Sequence, residues 1–127
     1  MNKAKELLIV FGFGAIIYSL IEVLFRGFTH WTMTITGGFT FVALYIANIK
    51  MKTKNVFLRC LVGSAIITGI EFSVGCIVNR TFGMNVWDYS EQRFNILGQI
   101  CPLFSLFWFV LSFPAMLLTF SLRKKLR

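Results

Sequence analysis

The chain has 127 residues, of which 57% are hydrophobic and only 14% charged, with a mean hydropathy of +0.74. That is too apolar for a water-soluble domain, and the length leaves no room for a nucleotide-binding, receptor or soluble catalytic domain beside the apolar segments. The net charge of +8 does not mark a nucleic-acid binder, because the basic residues sit at the ends of apolar runs rather than on a polar surface.

Four runs are long enough to cross roughly 30 Å of hydrocarbon: residues 7–25, 34–49, 56–78 and 96–122. The chain therefore reads as one all-α integral membrane domain, 1–127, of four transmembrane helices. Lys3 and Lys5 before the first run resemble a signal peptide. The run is long, lacks a small-x-small cleavage site and leads into Glu22 and Arg26, so it is expected to be an uncleaved span. Ten bases lie at the N-terminus, the second connection and the C-terminus, with Glu6 the single acid among them. The other end of the bundle holds Arg26, Arg80 and Arg93 against Glu22, Glu71, Asp88 and Glu91. The positive-inside rule then puts both termini in the cytoplasm of a plasma-membrane protein. The basic tail from Arg123 is explained by that anchoring, with anionic headgroups a further ligand it could take. Cys60, Cys76 and Cys101 are scattered singly and read as small core residues.

Sliding the sequence over itself by 49 positions pairs Gly14 with Gly63, Ile17 with Ile66, Ile21 with Ile70 and Glu22 with Glu71. This predicts two similar helical hairpins related by a pseudo-two-fold axis along the membrane normal. Each glutamate lies 15 residues into its span, about 22 Å from the inner face at ~1.5 Å per residue. Two carboxylates are thus expected at one depth, in the outer third. Gly37-Gly38 is expected to interrupt the second span, and Gly98 with Pro102 the fourth; breaks at matching places point to a binding site, while close helix packing is the plainer explanation of glycine.

An ionised group at the centre of a spanning helix costs about 2.5–3.5 kcal/mol, so two glutamates require an explanation. Glu22, Arg26 and His30 are spaced i, i+4, i+8, so a first helix continuing to Trp31 would carry them on one face and pair Glu22 with Arg26. Gly75 occupies the matching place after Glu71, whose partner must come from elsewhere, with Arg80, Arg93 and Arg26 as candidates. His30, the single histidine, excludes a multi-His metal site and is expected to cap the first helix or bond into the loop. No metal or other cofactor is implied, and G-x-S-x-G, H-E-x-x-H and Walker A patterns are absent. The aromatic residues of the outer connections fit a headgroup belt, but Trp87-Asp88-Tyr89 also has the form of an organic-cation site, a carboxylate between aromatic rings.

Four ordered motifs carry a resemblance. They are RGFTHWTMTITGG from Arg26, GMNVWDYS from Gly83, NILGQIC from Asn95 and FSLFW from Phe104. Together they resemble the bacterial membrane family described as putative ABC-transporter type IV (CmpB-like), which also looks related to a small animal transmembrane family. Glu22, Arg26, Gly27, His30, Trp31, Gly37, Gly38, Glu71, Trp87, Asp88, Tyr89, Ser90, Asn95, Gly98 and Trp108 fall on the shared pattern; Pro102 departs from it and puts the straightness of the fourth helix in question. The resemblance implies a permease subunit.

The expected function is a small membrane transport protein whose polar site in the outer half binds a small solute or cation. Its candidate residues are Glu22, Arg26, His30, Trp31, Glu71, Trp87, Asp88, Tyr89, Asn95 and Gln99. Four helices rarely enclose a path alone, so a homodimer or other transporter subunits are expected in the bilayer. A non-transporting scaffold or regulatory module is the alternative. An intramembrane enzyme acting on lipid or cell-wall precursors is a third reading that would need an unfamiliar site.

Overall fold

A computed structural model of the chain describes residues 2–126. Among them there is no β-strand, and the order is α1 (Lys3–Arg26), α2 (Trp31–Lys50), α3 (Val56–Gly75) continued by a π-helical turn (Cys76–Thr81), and α4 (Pro102–Leu126). All four helical segments are long and apolar enough to span a bilayer, the third as Val56–Thr81.

Local chemistry sets the ends. Asn2 Oδ1 accepts from the Lys5 amide at 2.8 Å and Asn55 Oδ1 from the Leu58 amide at 2.7 Å, so an asparagine caps both α1 and α3. Gly27, at φ +80°, takes the left-handed conformation that closes α1, and its N–H donates to the Val23 carbonyl at 2.8 Å. The first helix therefore does not continue to Trp31, and His30 is not on the face of Glu22 and Arg26. Its imidazole instead caps α2, with Nδ1 accepting from the Thr32 amide at 3.2 Å.

One predicted interruption and one predicted helix start are corrected. α2 runs unbroken through Gly37-Gly38. α4 starts at Pro102, not at residue 96, because proline fits the first helical position, where no N–H is needed. Residues 96–101 form a tight turn closed by the Ile96 amide on the Ile100 carbonyl at 3.0 Å, with Leu97 and Gly98 both at positive φ. Pro102 thus opens the helix, and the internal proline is Pro114, which deprives the Val110 carbonyl of its helical donor.

The chain divides into two compact units, and Pro114 marks a boundary. The first joins α1 and α2 to the C-terminal half of α4. Along α2, Gly37 and threonines 32, 36 and 40 are buried beside Met33, Phe41, Leu44 and Tyr45, while Ile35 and Phe39 are exposed. The Thr36 hydroxyl is satisfied by the Thr32 carbonyl at 2.7 Å. Small residues and hydroxyls inside with large apolar side chains outside suit a lipid solvent, where helices associate through close backbone approach rather than hydrophobic burial. At the far end of this unit Glu6, 3% exposed, accepts from Arg123 at 3.2 Å, beside the buried Tyr45. The second unit, Asn55–Phe113, holds α3, the π turn, the long loop and the N-terminal half of α4.

Candidate functional site

In the second unit, Ser64, Thr68 and Glu71 recur at i, i+4 and i+7, so α3 carries them on one face. Ser105 of α4 meets that face. Its carbonyl accepts from the Ser64 hydroxyl at 2.7 Å, and its hydroxyl bonds that of Thr68 at 2.9 Å. One turn further along α3, Glu71 is 3% exposed and lines a narrow crevice with Thr68, Ser105, Phe104, Trp108 and Tyr89. Tyr89 forms a wall of it and stacks on Phe104, with ring centroids 4.7 Å apart and planes within 8°. Ile100 and Cys101 complete the lining, and the crevice is too tight to hold a water molecule.

Tyr89 is held there by a loop braced by its own hydrogen bonds and by Asn79 of the π turn. Its amide donates to the Gly98 carbonyl at 2.7 Å, and its carbonyl accepts from Gln92 at 2.9 Å. Gln99 is the centre of the loop. Its side-chain oxygen accepts from Asn79 at 2.8 Å, its side-chain nitrogen donates to the Leu97 carbonyl at 2.9 Å, and its own carbonyl accepts from the Trp87 indole at 3.0 Å. Asn79, in the π turn, also accepts the Val86 amide at 2.6 Å. Gly75 permits this packing, because a Cβ there would lie 2.5 Å from Gln99 Oε1 and 2.9 Å from Trp87 Cζ2.

The sequence candidates therefore separate into distinct roles. Glu71 and Tyr89 come together at the crevice. Trp87, 5% exposed, and Gln99 are buried supports of the loop rather than lining. Asn95 ties the loop's turn, accepting the Gly98 amide at 3.0 Å and donating to the Gln92 carbonyl at 2.8 Å. Asp88 is exposed, and its Oδ1 accepts from both the Ser90 hydroxyl and the Ser90 amide. It is not the carboxylate between aromatic rings that the spacing of Trp87-Asp88-Tyr89 suggested.

In the first unit Glu22 pairs with Arg26 at 3.2 Å, as the i, i+4 spacing predicts, and Arg26 lies over the Phe28 ring, 4.7 Å from its centroid. Trp31 is exposed at the start of α2, tilted against His30 at 5.6 Å. Thr68, Ser105, Phe104, Cys101 and Trp108 lie outside the sequence candidates. The signal for Thr68 was present: with Ser64 it puts hydroxyls at helical spacing from a glutamate inside an apolar run. Glu6 escapes for another reason. Among ten bases it reads as a solvated acid, and its ion pair with Arg123 joins opposite ends of the sequence.

The Ser90 hydrogen bonds hold the Asp88 carboxyl below its ordinary value. A depressed carboxylate contributes above its unfolded pKa, about 3.9, and the contribution is lost as pH falls through the folded value. The Ser90 amide resonance is therefore expected to stay constant from about pH 5 to 8 and move only in stronger acid. Asp88→Ala should shift it at every pH, and Asp88→Asn, which keeps an acceptor, much less.

The family described as Putative ABC-transporter type IV matches residues 5–125, nearly the whole chain. The chain belongs to that family. Membership agrees with the motif resemblance and with four segments able to span a membrane, and it makes this a multi-pass membrane protein of a transport-related family. No solved structure matches the chain.

Proposed function

We propose that this member of the family is a membrane transport protein, a permease subunit whose solute site is the Glu71 crevice. The observation that carries the reading is a carboxylate buried within a spanning helix, on one face with hydroxyls that bridge to α4 and beneath a loop-borne aromatic ring. An intramembrane carboxylate is expensive, and such groups mark solute and ion pathways when they line a cavity rather than lipid. Family membership supports the same reading, including work with other transporter subunits or a second copy in the bilayer. The distribution of Lys and Arg supports a plasma-membrane protein with both termini cytoplasmic and the Tyr89 loop outside. The paired glycines and glutamates 49 positions apart support two hairpins related along the membrane normal.

The test is flux. Proteoliposomes containing the protein, challenged in turn with sodium, potassium, ammonium and tetramethylammonium gradients, should move at least one of these, and Glu71→Gln should lower that flux roughly tenfold or more with the fold intact. Glu22→Gln, which breaks the ion pair with Arg26 and removes no residue of the crevice lining, should leave flux within about twofold. Flux that persists in Glu71→Gln contradicts the assignment.

One observation favours a second reading, a non-transporting scaffold or regulatory module. The loop from Gly83 to Cys101 is braced by hydrogen bonds within itself and to Asn79 of the π turn, which gives it the order a docking surface requires. On that reading no gradient drives flux, and Glu22→Gln lowers the melting temperature in detergent.

A further inference from the structure

We propose that the Glu71 crevice selects an organic monocation, an ammonium carrying alkyl groups, and that Tyr89 is its gate. The inference rests on the transport reading above and names the class of solute. Four features of the crevice bear on it.

The first is charge. Glu71 is the one acid in the lining, and no Lys, Arg or His is among the lining residues, so an anion meets only repulsion there. The second is surface. Tyr89, Phe104 and Trp108 present three aromatic rings to the same small space, and ring faces attract a cation most strongly once it is desolvated.

The third is the state of the hydroxyls. Thr68 and Ser105 bond each other, and the Ser105 carbonyl is occupied by Ser64. A sugar or other neutral polyol would find its hydrogen-bonding partners engaged. A bare metal cation needs a shell of about six oxygens, whereas the side chains of the crevice offer one carboxylate, the Tyr89 phenol and two hydroxyls already joined. An alkylated ammonium needs neither set. It takes one counter-charge and an apolar, π-rich wall.

The fourth is the source of each wall. Phe104 and Trp108 stand on α4, and Thr68 and Glu71 on α3, while Tyr89 alone among the rings belongs to the loop. The crevice admits no water molecule with Tyr89 stacked on Phe104. Entry therefore requires that stack to part. Gly83 and Gly98 take positive φ near the two ends of the loop, where a backbone rotation would swing Tyr89, while the Met84 amide on the Val78 carbonyl and the Ile96 amide on the Ile100 carbonyl tie the loop to its flanks.

The full-length protein in lipid nanodiscs is titrated with tetramethylammonium chloride and, at equal ionic strength, with sodium chloride, and its melting temperature followed. Tetramethylammonium well above its dissociation constant should raise the melting temperature by several degrees over sodium. Glu71→Gln should abolish the difference, and Tyr89→Leu, which keeps an apolar side chain on the loop, should weaken binding by about threefold or more. Tyr89→Leu also serves as the informative variant should Glu71→Gln fold poorly. Stabilisation by sodium but not tetramethylammonium, lost in Glu71→Gln, would overturn the organic class and leave the transport reading standing. Equal response to both salts, or tetramethylammonium binding indifferent to both substitutions, would overturn the site itself. Glu71-dependent binding with no flux of any tested cation would uphold the ligand class and sink the transport reading alone.

Discussion

Replacing Gly37 by alanine is expected to produce the largest loss of stability of any single methyl added to this protein. In the α1–α2 pair the backbones approach so closely that a Cβ on Gly37 would sit 2.3 Å from Tyr18 Cβ, 2.8 Å from Tyr18 Cγ and 3.1 Å from the Gly14 carbonyl oxygen. Neither Tyr18 Cβ nor a helix carbonyl is the free end of a flexible chain, so the helices must separate. A Cβ on Gly14 meets the same obstacle from the other side, at 2.4 Å from Phe41 Cβ and 2.7 Å from the Gly37 carbonyl oxygen. Overpacking of this kind costs about 1–3 kcal/mol, and dispersion lost along the seam adds to it because lipid offers no hydrophobic compensation. Gly37→Ala and Gly14→Ala should each melt roughly 5–15 °C below the parent in nanodiscs. Gly12→Ala is the control. Nothing lies within 4 Å of its Cβ position, so its melting temperature should be unchanged or slightly raised. Equal losses at positions 12 and 37 would mean that helix geometry, not close approach, is what these glycines serve.

The second large effect is expected where α3 meets the loop. Gly75→Ala places a methyl against Gln99 and the Trp87 ring and should push the loop outward. Gln99→Ala removes the acceptor of the Asn79 side chain and the donor to the Leu97 carbonyl. A part-buried polar group left without its partner costs about 1–3 kcal/mol. Each single variant should raise hydrogen exchange of the loop peptide 83–101 about tenfold or more. The double variant should exchange more slowly than the sum of the two effects predicts, because the space vacated by the Gln99 side chain receives the methyl added at position 75. Strict additivity would show that the two residues act through different parts of the loop.

The four spans were legible in composition because each is a long apolar run, and Glu22–Arg26 was legible because i, i+4 neighbours on a helix need no tertiary information. Helix ends were less so. An apolar run from Ile96 continues into α4 without a change of character, yet Leu97 and Gly98 take positive φ and Pro102 takes the first helical position. Only backbone geometry separates the turn from the span. Gly37-Gly38 shows the same limit in reverse: two glycines read as a break where close contact with Tyr18 and Phe11 makes them the tightest part of a continuous helix. At the site, Glu71 and Tyr89 were identified by residue type, but their meeting depends on how the loop folds back on α3. Trp87 and Asp88 precede Tyr89 in sequence and serve the loop instead, one under Gln99 and the other on Ser90. Adjacent positions in an irregular segment carry no information about which side chain faces inward.

The central claim is a cation-selective crevice at Glu71, reached through Tyr89, and Cys101 in its lining provides a direct reporter. In a Cys60→Ser, Cys76→Ser background, Cys101 is the single thiol left. Its reaction rates with the cationic trimethylammonioethyl and the anionic sulfonatoethyl methanethiosulfonates are measured in nanodiscs and normalised to free thiol. The account predicts that the cationic reagent reacts roughly tenfold faster or more, by attraction to the nearby carboxylate, and that Glu71→Gln erases the preference. Equal rates in the parent, or a preference that survives Glu71→Gln, would contradict it.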